Sequence, residues 1–217
     1  QQLTEIVRLL FPQSFVRLTI QLIRKLSMPP TRIVLVPGNG CGGDIRACNF
    51  YGWAEKAFTE NGYEFVLPAE GMPDPVKARE CIWIPFIRNN LGADINSVVI
   101  GHSSGAAAAL RLAESHKLKG IVLVAAYHTD LGDENERQSG YFSRPFNWKA
   151  IQSNCDFIIQ FAGTADSLVP IHIQRQLAKE LQPKCNYYEV NGGDHFFLPP
   201  FNQLIQAISI QEGSQNP

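Results

Sequence analysis

Three β-branched residues, Val98-Val99-Ile100, run without a break into Gly101-His102-Ser103-Ser104-Gly105 and then into Ala106-Ala107-Ala108-Ala109-Leu110. A short β-branched apolar run reads as a buried strand, and an alanine-rich run as a helix. The stretch therefore demands a strand, a sharp turn and a helix, with a serine at the bend. Only Ser103 stands in the G-x-S-x-G register, because Ser104 directly precedes Gly105. A serine at such a turn sits in a strained backbone conformation, and side chains two residues to either side would collide with neighbouring elements. The pattern reads as a nucleophile elbow. Its hydroxyl stands at the carboxyl end of a strand, and the next N–H is free at a helix N-terminus.

The rest of the chain supplies matching parts. Strand patterns fall at 32–36, 63–67, 120–125, 157–161 and 186–190, besides the one that feeds the turn. Helix patterns fall at 53–60, 75–91, 148–153, 171–181 and 201–210, besides the one that leaves it, and Pro85 is expected to kink the second of these. Six strands alternating with helices predict an α/β fold, a parallel sheet covered on both faces. At 217 residues one domain is the economical reading. Residues 127–147 read as a polar loop, long enough to suggest a functional role.

Residues 1–27 differ from the remainder of the chain. They hold Arg8, Arg17, Arg24 and Lys25 against the single acid Glu5, with apolar residues at roughly helical spacing. This segment is too charged for a membrane span. It reads as an extension ahead of Met28 and outside the fold, with a transit segment as the alternative. Residues 28–212 are expected to form the domain and 213–217 a frayed tail.

A formal net charge of −1 gives no reason to expect nucleic acid or an anionic membrane as a partner. The five cysteines, Cys41, Cys48, Cys81, Cys155 and Cys185, are scattered and include no C-x-x-C pair. A disulfide framework and a structural zinc site are both disfavoured, and a reducing, cytoplasmic setting is expected.

A serine hydroxyl needs a neighbouring base oriented by an acid, and in an elbow-type site these follow in the chain order serine, acid, histidine on loops after later strands. The loop after the fifth strand is Gly163-Thr164-Ala165-Asp166, and the loop after the sixth is Gly192-Gly193-Asp194-His195. Asp166 and His195 are the expected acid and base. Asp194 is a poorer acid, being the immediate neighbour of the ring it would have to reach. His172 lies in a helix pattern, His102 is expected to pack or hydrogen-bond inside the elbow, and His116 and His128 read as structural. An oxyanion site needs two N–H donors. Ser104 is one, and the turn after the first strand offers the other near Asn39 or Gly40.

That turn also permits a rival. Gly38-Asn39-Gly40-Cys41-Gly42-Gly43 satisfies the G-x-G-x-x-G dinucleotide fingerprint directly after a strand. Residues 44–52 do not open a helix cleanly, however, and Glu70 only approximates the acid expected at the second strand. The acidic run Asp130, Asp133, Glu134 and Glu136 lacks calcium-loop spacing and reads as a solvated loop. No cofactor or metal is expected.

Gly101-His102-Ser103-Ser104-Gly105, Pro37-Gly38-Asn39-Gly40, Met72-Pro73-Asp74-Pro75 with Ala78-Arg79-Glu80, and Asp130-Leu131-Gly132-Asp133-Glu134-Asn135-Glu136 with Ser139-Gly140-Tyr141-Phe142 together resemble the retinoblastoma-binding protein 9 family of small α/β-hydrolases. The likeness runs densely over residues 28–170 and becomes looser after Gln174. Even there, Gly193-Asp194-His195-Phe196 holds the place of the family's Gly-x-His-Phe. The resemblance implies a lidless single-domain α/β-hydrolase with a triad of Ser103, Asp166 and His195. Two departures accompany it. The L-x-C-x-E sequence tied to retinoblastoma-pocket binding is replaced by Leu91-Gly92-Ala93-Asp94-Ile95, which puts that partner in doubt, and residues 1–27 have no counterpart.

The expectation is a serine hydrolase that cleaves a small ester, thioester or amide through an acyl-enzyme, on a small molecule or short peptide. Substrate choice is assigned to residues 41–49, to residues 127–142 and to Phe196 and Phe197. The alternative from another class is a scaffold protein that keeps the fold with little turnover.

Overall fold

A computed structural model of the protein describes residues 30–214. The expected extension over residues 1–27 and the last three residues of the expected tail lie outside it. Six strands form one wholly parallel sheet: β1 (Arg32–Val36), β2 (Glu64–Val66), β3 (Ser97–His102), β4 (Leu118–Val124), β5 (Cys155–Gly163) and β6 (Cys185–Val190). Their order across the sheet is β2-β1-β3-β4-β5-β6. The chain leaves β1 toward one edge and returns to β3 on the other side, so the strand order switches direction between β1 and β3. The crevice at the carboxyl ends of those two strands is where an open parallel sheet collects ligands. Both the glycine-rich turn and Ser103 open onto it.

Alternation along the strands builds two cores. Ile33, Leu35, Val98, Ile100, Val122 and Val124 pack with α1 (Tyr51–Glu60) and α7 (Asn202–Ser214) on one face. Val34, Val36, Val99, Ile121 and Leu123 pack with α2 (Glu80–Asn89), α3 (Ser104–Ser115), α5 (Trp148–Asn154) and α6 (Ile171–Glu180) on the other. Burying whole side chains on both faces is why these strands read as continuous apolar runs.

Three local expectations change. The predicted helix over 75–91 starts only at Glu80, because the chain before it turns through positive φ at Asp74 (53°) and Ala78 (50°). Pro85 lies within that helix. The last helix continues through Gly213 to Ser214, into the stretch read as tail. The loop over 127–147 also contains a short helix, α4 (Glu134–Ser139), whose first turn is capped by the Asp133 carboxylate accepting from Glu136 N–H at 2.9 Å.

Candidate active site

The elbow is as tight as its glycines require. Ser103 adopts φ 56° and ψ −121°, a conformation that costs an ordinary residue on the order of 1–3 kcal/mol. A Cβ on Gly101 would lie 2.3 Å from Gly105 O, and one on Gly105 would lie 2.2 Å from Val36 O. Helix α3 therefore starts directly beneath β1, and its N-terminus is aimed at the crevice. Ser103 N–H donates to Val124 O at 2.9 Å, which pins the bend to β4.

Asp166 and His195 meet across the ends of β5 and β6. His195 Nδ1 lies 3.0 Å from both carboxylate oxygens of Asp166. The carboxylate also accepts from Val169 N–H at 2.8 Å, Leu168 N–H at 2.9 Å and the Gln174 side-chain amide at 3.1 Å. Burial alone would raise the Asp166 pKa, but the bonds from His195 and the two backbone amides outweigh it and hold the group below its usual value. An ionised Asp166 can only accept, so the ring proton sits on Nδ1 and His195 Nε2 is left as the basic nitrogen. Asp194, the rejected acid, is exposed and accepts from Ser167 N–H at 2.8 Å. His172 is exposed on α6.

His102 carries a structural role, as its place in the elbow suggested. It is buried on the α1 face, with Nε2 2.9 Å from His195 O and Nδ1 2.6 Å from Tyr51 Oη. A carbonyl only accepts, so His102 holds its proton on Nε2 and takes the Tyr51 hydroxyl proton at Nδ1. Tyr51 Oη accepts in turn from Gly38 N–H at 2.9 Å. Both ring nitrogens are engaged, and burial lowers the His102 pKa to about 3. It is neutral in the folded protein at ordinary pH, with no ring nitrogen left to act as a base.

On the other side of Ser103, Ser104 is the first residue of α3, where an N–H has no intrahelical acceptor. Its buried side chain enters a network that sequence reasoning missed. Ser104 Oγ donates to Glu136 Oε1 at 3.1 Å and lies 3.0 Å from Tyr127 Oη. The same Glu136 oxygen accepts from Asn39 Nδ2 at 2.9 Å. Glu136 is only 7% exposed, which corrects the solvated-loop reading at that residue, whereas Asp133 and Glu134 of the same acidic run are exposed as expected. The legible signal was Asp133 three residues before Glu136, the start of a capped helix. No hydrogen bond joins Ser103 Oγ to His195 among the described residues.

The glycine-rich turn is likewise resolved. Gly40 N–H donates to Pro75 O at 2.7 Å. Gly40 is thereby removed as an oxyanion donor, and the candidacy passes to Asn39. No helix follows Gly43 directly: a short 3-10 turn (Ile45–Ala47) intervenes and α1 begins at Tyr51. The dinucleotide fingerprint lacks the helix N-terminus on which it depends. Of the two phenylalanines, Phe196 packs on Phe201 with ring centroids 4.9 Å apart, whereas Phe197 is 39% exposed with its ring 5.2 Å from that of His195. Only Phe197 remains a candidate wall of the site.

Comparison with characterised proteins agrees with this frame. The chain is 47% identical over 179 residues to serine hydrolase RBBP9 of Rattus norvegicus, an alignment that covers 82% of this chain and 94% of the rat protein. The chain belongs to the RBBP9 family. No family model matches it. Among solved structures, the ydeN gene product of B. subtilis superposes with a TM-score of 0.73 at 19% identity, over 84% of this chain and 99% of that one. A structure described among carboxylesterases of the thaumarchaeon Nitrososphaera gargenis superposes at 0.65 and 14% identity, over 85% and 92%. These likenesses fix the fold as that of the α/β-hydrolases. As an RBBP9-family member with this fold, the protein is a hydrolase. No helix among the described residues is long and apolar enough to cross a membrane.

Proposed function

We propose that the protein cleaves small esters, thioesters or amides through an acyl-enzyme on Ser103. The observation that carries this is the bidentate approach of His195 Nδ1 to Asp166, on a loop whose backbone is bonded to the residue preceding Ser103. In the first step Ser103 Oγ turns toward His195 Nε2, surrenders its proton and attacks the acyl carbon. The N–H groups of Ser104 and Asn39 receive the oxyanion that forms. His195 then protonates the leaving group, and the same nitrogen activates water to release the acid. Asp166 holds the imidazole in the required tautomer throughout. Phe197 favours an apolar group beside the histidine.

A fluorophosphonate probe tests the reading. The intact chain and Ser104→Ala, which keeps the backbone donor, should become labelled, whereas Ser103→Ala should not. Turnover of a simple ester should fall on the order of 10⁴-fold or more in Ser103→Ala. An unlabelled intact chain, or labelling lost only in Ser104→Ala, would sink the mechanism.

A further inference from the structure

Glu136 takes no part in the proton transfers between Ser103 and His195, yet it is a buried acid beside the proposed nucleophile. Its Oε1 accepts from Asn39 Nδ2 and from Ser104 Oγ, the side chains of the two residues whose backbone N–H groups are the oxyanion donors. Its Oε2 is buried and makes no hydrogen bond. A carboxyl kept out of water with one oxygen unpartnered is costly, and such a group is retained where its position serves something else. The surrounding bonds indicate what that is. Asn39 lies between Gly38, whose N–H is fixed on Tyr51, and Gly40, whose N–H is fixed on Pro75 O. The bond to Glu136 adds a third restraint, from the side chain. The neighbouring Asn135 Nδ2 donates to Val76 O at 2.9 Å, which ties the same helix to the loop that holds Gly40. Helix α4 thus reaches both the Asn39 turn and the loop that holds Gly40.

We propose that Glu136 is a positioning residue that latches the Asn39 turn to the N-terminus of α3 and keeps the two oxyanion donors aimed at one point. The inference rests on the proposed acyl-transfer reading of the site. It requires an acceptor oxygen at Oε1 rather than a charge, so a glutamine in that place should serve. Donors aimed at a developing oxyanion act on the transition state and little on ground-state binding. Loosening them should therefore lower kcat and spare KM.

The test uses the full chain and p-nitrophenyl acetate, with Glu136→Ala, Glu136→Gln, Asn39→Ala and the double variant Glu136→Ala/Asn39→Ala, alongside Ser103→Ala. Glu136→Ala should lower kcat roughly 10- to 100-fold, less than deleting a donor outright, with KM within about threefold. Affinity for a boronic acid that forms a tetrahedral adduct should fall in parallel. Glu136→Gln should recover kcat to within about fivefold of the parent, because its carbonyl still accepts from both partners. The double variant should lose no more than Glu136→Ala alone, since both changes open the same latch.

Unchanged kcat in Glu136→Ala, an equal loss in Glu136→Gln, or additive losses in the double variant would each overturn the proposal. If Glu136→Ala does not fold, Glu136→Gln and Asn39→Ala decide: the first must stay active and the second must lose kcat at constant KM. Ser103→Ala separates the two readings. Persistent turnover there removes the acyl-enzyme itself, whereas a dead Ser103→Ala with an unaffected Glu136→Ala removes only the latch.

Discussion

The residues on either side of Ser103 enter two buried networks of opposite character. His102 leads to Tyr51, Gly38 and the His195 carbonyl, and every polar atom of its ring and of the Tyr51 hydroxyl is matched. Ser104 leads to Tyr127, Asn39 and Glu136, where one carboxyl oxygen is orphaned. The first network contains only neutral groups and behaves as frame. The second holds an acid out of water beside the proposed nucleophile. The network entered through Ser104 therefore carries an unmatched buried polar atom, whereas the one entered through His102 carries none.

The substitution that should disrupt both networks at once is Gly105→Ala. It drives a methyl group into Val36 O and Pro37 O, so urea unfolding should show a loss of at least about 3 kcal/mol. A small loss would mean that α3 is not clamped beneath β1. Tyr51→Phe attacks the frame alone. It leaves Gly38 N–H and His102 Nδ1 buried without partners, for a loss of about 2–3 kcal/mol. Tyr127→Phe removes one donor from a serine hydroxyl and should cost about 1 kcal/mol. Equal losses in the two tyrosine variants would erase the contrast between frame and oxyanion side.

The networks should also respond to pH with opposite sign. Burial holds His102 at a pKa of about 3 against an ordinary value of 6.5. The unfolded chain therefore binds the extra proton between those values, and stability is lost as pH falls below about 6.5. His102→Gln, which keeps a donor toward His195 O, should flatten the acid limb by about 2 kcal/mol between pH 6.5 and 5. Glu136 behaves in reverse. Burial, with a smaller contribution from Asp133, raises its pKa above the ordinary carboxyl value of 4.5. The folded state binds the extra proton, so that contribution is present below about pH 4.5 and is lost as pH rises through the folded value. Glu136→Gln should stabilise the protein more at pH 8 than at pH 4, the least of these effects. A larger gain at pH 4 would contradict the assignment.

The sheet and the candidate triad were legible because both rest on local signals. Buried parallel strands are apolar whatever their neighbours, and the acid and base fall in loops directly after strands that can be read in isolation. Other features depend on contacts far apart in sequence. Glu136 looks like any charged loop residue until Asn39, 97 positions away, reaches it. Gly40 and Asn39 are equivalent as donors until Pro75 O takes one of them. The split of Phe196 from Phe197 is set by Phe201, against which only the first is packed. His102 shows a middle case: its place in the elbow indicated a packing role, but which nitrogen carries the proton required Tyr51 and a carbonyl from another loop.

That carbonyl belongs to His195 itself. The residue before Ser103 thus holds the backbone of His195, and the two proposed reacting groups are measured from a common origin. A shift at the end of β3 would pull on the histidine loop through this bond. The bond thus ties the spacing of the two groups to one end of β3, much as two instruments fastened to one bench share its position. A site assembled from loops on three strands can in this way hold its spacing without a rigid scaffold throughout.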